Sequence, residues 1–266
     1  MPFFQQLGAS FLKGMARADE VLTVLDILGQ ATGAVLLSGV WWEPDHGVQE
    51  SKKQRSQKCR SKSKTTCQKC QDELWQAKVE ELAGRGLTLE ALLDFYGSLP
   101  EVMPHFKPNL HTTGDVVRQA IIPMSRDGQC ALATVMMQGK YTRPKRMVTH
   151  NWGNLFRDLV AAIVADTLQE SDFGASAYLL DTALPGVVEE LRRARQLQRT
   201  YWICAFSVSQ HNTICEANPR GEVDPCTGAL HPVCPCGAPK YFNDSPPLRW
   251  DGKSIPCEVN KFADMM

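Results

Sequence analysis

The feature that most constrains this chain is a pair of short apolar runs separated by about fifty residues of helical pattern. The second run, Tyr201-Trp-Ile-Cys-Ala-Phe206, is almost continuously apolar and aromatic, which suits a strand buried on both faces of a sheet. The first, Arg146 to Trp152, is bounded by polar turns. Between them, Phe156, Leu159, Val160, Ile163, Val164 and Leu168 fall on one face of a helix. A second helical stretch, Ala175 to Leu184, leads to Pro185, which can start another helix carrying Val187, Val188, Leu191 and Leu197. Strand, helix, helix, strand is a crossover unit, so residues from about 146 to 208 are expected to form part of a parallel sheet. The fold class is therefore α/β: a partial parallel sheet with flanking helices, a helical N-terminal region and an irregular, Cys-rich C-terminal segment.

Upstream of the crossover, Thr88 is expected to cap a helix bearing Leu89, Leu92, Leu93, Phe95 and Tyr96, after Gly84 and Gly86 have stopped the helix that begins near Asp72. His111-Thr-Thr-Gly-Asp115 reads as a cap for a helix with Val116, Val117, Ala120 and Ile121 inward. Cys130 to Met137 reads as a further strand, Thr200 to Val208 as the full extent of the last one, and Asn151 or Asn154 as the cap of the helix that follows Trp152.

The organisation expected is a helical region at 1–47, a basic linker at 48–71, a helical region at 72–125, an α/β core at 126–212 and a Cys/Pro-rich extension at 213–266. From Ser51 to Gln71 the linker carries Lys52, Lys53, Arg55, Lys58, Arg60, Lys62, Lys64 and Lys69 with no acidic residue and almost no apolar one, so it cannot bury a core. It is the one segment suited to nucleic acid or to a nuclear-import receptor, because lysines on an extended chain meet polyanions without a fold, with a merely solvated linker as the equal alternative. Over the whole chain, 29 basic residues balance 29 acidic ones, which argues against wholesale nucleic-acid binding. The stretch 21–42 is long enough to cross a bilayer, but Asp26, Gln30, Thr32 and three glycines lower its hydropathy, and a buried or amphipathic helix is favoured over a membrane span. No secretory leader is evident, which places the chain inside the cell, in the cytoplasm in preference to the nucleus.

Two constellations carry chemistry. Ligands of open parallel sheets bind outside the carboxyl ends of the strands. His150, Asn151 and Trp152 follow the first strand, and Gln210 and His211 follow the second. They are the expected ligand-binding or partner-binding set, against the plain alternative that they cap helices and satisfy loops. The second constellation is Cys215, Cys226, His231, Cys234, Cys236 and Cys257, in a segment rich in Pro and Gly. Four of these six can make a tetrahedral zinc site that stabilises a segment with little core of its own. Unligated thiols are the alternative, and redox pairing of Cys234 with Cys236 is a third reading. Cys67-Gln-Lys-Cys70 is a lone CxxC and by itself does not make a site. No catalytic residue is assigned: there is no Gly-x-Ser-x-Gly, no His-Glu-x-x-His and no Gly-rich phosphate loop.

The block Met147-Val-Thr-His-Asn-Trp-Gly-Asn-Leu-Phe-Arg-Asp-Leu-Val160, followed by Tyr201-Trp-Ile-Cys-Ala-Phe-Ser-Val-Ser-Gln-His211, resembles a group of microalgal proteins, which in turn are similar to Toll/interleukin-receptor (TIR) and heterokaryon-incompatibility (HET) domains. The resemblance runs over about 88–266. It implies a degenerate TIR/HET-like signalling module that acts without catalysis, by binding other proteins or itself. Enzymatic TIR domains hydrolyse NAD with a glutamate commonly set in a Trp-Cys-x-x-Glu stretch, and no such stretch occurs here. An NAD glycohydrolase would need that glutamate from a partner chain or from sequence beyond Met266, so the resemblance implies that the domain is C-terminally incomplete. A zinc-stabilised binding protein is the third reading.

Overall fold

The computed structural model describes residues 35–36 and 67–265. The linker up to residue 66 and most of the stretch 21–42 lie outside the described residues.

In chain order, the elements are β1 (Val35–Leu36), α1 (Gln68–Ala83), β2 (Leu87–Thr88), α2 (Leu89–Val102), α3 (Thr113–Val116), a π turn (Val117–Ile121), α4 (Ile122–Ser125) and α5 (Leu132–Met136). They continue through β3 (Arg146–Thr149), α6 (Phe156–Leu168), α7 (Gly174–Arg193), β4 (Thr200–Ile203) and α8 (Cys204–Ser207) to α9 (Phe262–Met265). The crossover forms as the sequence suggests. β3 and β4 pair in parallel, Met147 opposite Trp202 and Val148 opposite Ile203, and α6 and α7 make the connection. The sheet order is β1-β3-β4-β2, with both edge strands antiparallel to their neighbours. The sheet is thus mixed, parallel only in its central pair. Val35 and Leu36 lie opposite Thr149 and Val148, so at these two residues the expected N-terminal helix gives way to an edge strand.

β4 explains why so much of the chain packs around it. Tyr201 and Ile203 join the main apolar cluster with Leu92, Phe95, Phe156, Val160 and Leu191. Trp202 points to the other face, where its indole Nε1 donates to Leu82 O (2.9 Å) and its ring meets Phe262 edge-on at 5.1 Å. Alternate residues of one strand therefore bury against different layers. The second layer is α1 together with the C-terminal residues: Trp75, Val79 and Ile255 cluster, and Trp75 Nε1 donates to Asp264 Oδ2 (2.9 Å). Glu258 is buried there and accepts from Arg85 Nη1 (3.0 Å) and the Ser209 amide (2.8 Å), with Lys78 Nζ at 3.1 Å. Its carboxylate is fully engaged in holding α1 and the C-terminal segment to the region after β4.

Local signals settle several element ends. Thr88 Oγ1 accepts from the Ala91 amide (3.2 Å), capping α2. Thr112 and Asp115 form a reciprocal capping box at α3. α1 ends at Gly84, and a Cβ on Gly86 would lie 2.6 Å from Thr142 O, so only glycine fits that approach. α7 is kinked at Ala183, just before Pro185, whose missing amide hydrogen breaks the ladder there.

Four expectations change. Residues 132–136, read as a strand, form the helix α5, because a short apolar run has no period that separates the two. The last strand stops at Ile203 and turns into α8; Ser207 Oγ accepts from the Ile203 amide (3.2 Å) and donates to Arg85 O (2.8 Å), closing that turn. Neither Asn151 nor Asn154 caps α6: Leu155 is its N-cap residue, and the Phe156 amide donates to His111 O (3.1 Å). α6 is also buried well beyond one face, since Ala161, Ala162 and Ala165 let neighbours approach closely.

Trp202→Phe keeps the ring in the second layer and removes the indole's hydrogen bond to Leu82 O, which still accepts from the Arg85 amide (3.1 Å). Denaturant unfolding is expected to show a loss of about 1 kcal/mol, the net worth of one hydrogen bond.

Candidate metal centre

After β4 the chain makes one turn of α8 and a tight 3-10 turn, Gln210–Asn212. Gln210 anchors it: Nε2 donates to Ala205 O (3.1 Å), and its carbonyl accepts from the amides of Thr213, Ile214 and Cys215. This winding brings His211 and Cys215, four residues apart, to the same side. The Cys234 amide then donates to Cys215 O (2.7 Å), bringing Cys234-Pro-Cys236 alongside.

The result is a cluster of His211 Nδ1 and the sulfurs of Cys215, Cys234 and Cys236, all within 4.8 Å of one another. Cys215 Sγ and Cys236 Sγ are 3.6 Å apart; His211 Nδ1 lies 3.5 Å from Cys236 Sγ and 3.9 Å from Cys234 Sγ. A tetrahedral zinc with Zn–S of about 2.3 Å and Zn–N of about 2.0–2.1 Å separates its sulfurs by about 3.8 Å and sulfur from nitrogen by about 3.6 Å. These three separations fit that ion to within a few tenths of an ångström, and the remaining pairs lie within 4.8 Å.

The surroundings suit a ligating histidine. His211 Nε2 lies 3.0 Å from Ser125 Oγ, which donates to Ile121 O (2.7 Å) at the end of the π turn. A proton on Nε2 donated to Ser125 leaves Nδ1 free to bind a metal. Burial, then the charge of Lys240, holds His211 below its ordinary pKa and so neutral. Burial, then hydrogen bonding to Cys236, pushes the Cys215 thiol up to about 12. At Cys236 burial works upward too, but the Ala238 amide and the Cys215 and Cys234 thiols outweigh it and lower the pKa. Of these two thiols, Cys236 is the more readily ionised. Metal binding must displace the thiol protons. Lys240, paired with Glu216 at 3.0 Å, also feels the Cys215 and Cys236 sulfurs; burial works to lower its pKa, but Glu216 and then these sulfurs raise it.

Six residues were expected as metal ligands, and three of them meet. Cys226, His231 and Cys257 lie outside the cluster. Cys257 Sγ contacts Asn243 Oδ1 (3.6 Å), His231 Nε2 pairs with Asp115 Oδ1 (2.8 Å), and the Cys226 amide donates to Asp224 Oδ1 (2.8 Å). The fourth donor is His211, expected as a ligand-binding residue at a strand tip. The early end of β4 moves it to the thiols, and Gln210 is buried as the anchor of the turn. The other tip remains as an independent group. His150 stacks on Trp152 (6.5 Å between centroids), Asn151 Oδ1 accepts from the Gly153 amide (2.8 Å), and Trp152 O accepts from the Gly114 amide (2.9 Å).

A second polar cluster had no signal in the sequence beyond the α3 cap. Asp224 is 2% exposed, and its Oδ2 accepts from His105 Nε2 (3.0 Å), His111 Nε2 (2.9 Å) and Gln119 Nε2 (2.8 Å). Its Oδ1 accepts from the Cys226 and Thr227 amides. Burial alone would raise its pKa, but these donors hold it far below the usual carboxylate range. The Lys107 amide donates to His111 Nδ1 (2.9 Å), which places the ring proton on Nε2, facing Asp224. This oxygen is saturated by donors, and the cluster is complete as a hydrogen-bonded clasp. With Asp115–His231 it pins the loop 222–231 to the segment 105–119.

Comparison with protein-family models, curated proteins and solved structures gives no match. Among the described residues, no helix is long and apolar enough to cross a membrane.

Two measurements check these environments. Asp224→Asn leaves the buried donors facing an amide and is expected to cost about 3 kcal/mol at neutral pH. In the native chain this carboxylate's contribution is full above its unfolded pKa near 3.8 and is lost as pH falls towards the lower folded value. His150 makes no side-chain hydrogen bond at either ring nitrogen, and burial pushes its pKa down to about 4 despite a small upward pull from the Asn151 backbone. The unfolded chain therefore takes up a proton below pH 6.5 that the folded chain refuses, and stability falls between pH 6.5 and 4. His150→Phe keeps a stacking ring and should remove about 3 kcal/mol of that pH dependence; identical pH profiles for the two proteins would refute this account.

Proposed function

We propose that this chain is a non-catalytic α/β interaction module whose C-terminal segment is locked to the core by a Cys3His zinc centre. The observation that carries the reading is the convergence of His211, Cys215, Cys234 and Cys236 at tetrahedral ligand spacing, with Ser125 orienting the histidine. Zinc is the favoured ion because three thiolates and an imidazole form a closed, soft donor set, characteristic of structural sites with no open position for substrate. The bound ion would cross-link the turn after β4 to the loop 216–236, a segment with one isolated bridge, Val223 to Leu230, and no strand or helix.

The TIR/HET-like part of the proposal rests on the motif residues 147–160 and 201–211. The parallel β3–β4 pair with its two-helix crossover is compatible with it. The activity proposed is association, with another protein or a second copy of the chain. The buried carboxylate near the C-terminus, Glu258, is occupied by Arg85, Lys78 and the Ser209 amide, an arrangement that suits anchoring better than reaction.

Elemental analysis of the purified full chain tests the zinc centre, with about one zinc per chain expected. Cys215→Ser or Cys234→Ser should abolish tight binding and lower the melting temperature, whereas Cys226→Ser and Cys257→Ser should retain the metal. Less than a tenth of an equivalent, both as purified and after refolding with zinc, would overturn the assignment.

A further inference from the structure

Three of the four donors of the centre are closed to solvent: His211 and Cys215 are 0% exposed and Cys234 is 5% exposed. Cys236 is the exception, half-buried on the solvent side of the cluster. A small oxidant reaching this site therefore meets Cys236 first. Directly behind it, at 3.6 Å, is Cys215 Sγ. Cys234 is a poorer partner for a disulfide, because a bridge across the single residue Pro235 closes a small, strained ring. Bringing the two sulfurs to the covalent distance of about 2.05 Å requires a shift of about 1.5 Å. Cys236 precedes Gly237, whose φ of +67° marks a turn in an irregular loop, and the only side chain holding its carbonyl among the described residues is Gln129 (2.9 Å).

We propose that Cys236 is a peroxide-oxidation site and that Cys215 is its resolving thiol, so that oxidation converts the zinc centre into a Cys215–Cys236 disulfide and releases the metal. The inference rests on the zinc reading above. In the first step the Cys236 sulfur attacks one oxygen of hydrogen peroxide; the O–O bond breaks, the sulfur becomes a sulfenic acid, and the other oxygen leaves as water after taking a proton. In the second step the Cys215 sulfur attacks the sulfenic sulfur, the S–O bond breaks, and hydroxide leaves as water with a second proton. Two thiolates, one peroxide and two protons thus yield one disulfide and two waters. Peroxide is reduced by two electrons, both drawn from sulfur. His211 and Cys234 remain, and two donors do not hold zinc in a closed site. The loop 216–235 stays covalently tied to the turn after β4 in the oxidised form, which makes the change reversible by thiol reductants.

The test uses the full reduced, zinc-loaded chain, treated with stoichiometric hydrogen peroxide in the presence of a chromogenic zinc chelator, followed by non-reducing peptide mapping. One zinc released for each Cys215–Cys236 disulfide, reversed by dithiothreitol and added zinc, is the expected result. Zinc retained after peroxide, a bridge from Cys236 to Cys234, or Cys236 taken to sulfinic acid without a bridge would each overturn the proposal. In Cys236→Ser, which loses a zinc donor and the oxidised sulfur together, peptide mapping after peroxide should find Cys215 in no disulfide; a Cys215–Cys234 bridge formed as fast as the native one would overturn the role given to Cys236. If that variant does not fold, Gln129→Ala leaves all four donors in place and must still form the same disulfide. A chain that neither carries nor takes up zinc overturns the zinc reading and with it metal release. Peroxide mapping of that metal-free chain then decides separately whether the two sulfurs pair.

Discussion

The burial of β4 on both faces is the constraint from which most of the structure follows. A strand of four residues cannot hide Tyr201, Trp202 and Ile203 by itself, so each face needs its own cover. One side takes α2, α6 and α7, with Phe95, Phe156 and Phe206 packed edge to edge or tilted. The other takes α1 and the last residues of the chain, held by Trp75, Phe262 and the Glu258 ion pairs. The segment after residue 250 thus completes the second layer of the sheet and is part of the folded unit.

The region between β4 and that final layer faces the opposite problem. Residues 216–250 contribute few apolar side chains to the core, and Leu230, Val233, Phe242 and Trp250 are exposed. Polar anchors do the work instead. Asp224 gathers His105, His111 and Gln119, Asp115 takes His231, and the Cys/His cluster seizes both ends of the loop. The first anchor is complete without an ion because each donor facing Asp224 has its acceptor; in the second, His231 Nε2 pairs with Asp115 while its buried Nδ1 makes no hydrogen bond. The third consists of three sulfurs, which are weak hydrogen-bonding groups, and it gains most from a metal.

How far the site could be read from sequence depended on whether its residues carried a local pattern. Cys215, Cys234 and Cys236 were visible as candidate ligands because thiols crowd a segment with no other means of support. Cys226, His231 and Cys257 belonged to the same crowd, and composition cannot separate donors that converge from donors that point elsewhere. His211 was singled out for a different role. Its move to the thiol cluster follows from Ser207 turning the chain one residue after Ile203, an interaction that depends on Arg85 more than a hundred residues earlier. Ser125, Gln119 and Asp224 had no signal at all, since a lone polar residue acquires its meaning only from a distant partner.

By itself the sequence determined the crossover: apolar runs at β3 and β4, helical periodicity between them, Pro185 at the kink, and caps at Thr88 and Thr112. These are local preferences, expressed wherever the residues stand close along the chain. The tertiary structure decided the antiparallel edges of the sheet, the helical state of 132–136, the pairing of Asp224 with three side chains from another segment, and which histidine joins which cysteines. Each of those outcomes is a contact between residues far apart in sequence, and no local pattern records which distant surface a side chain will meet.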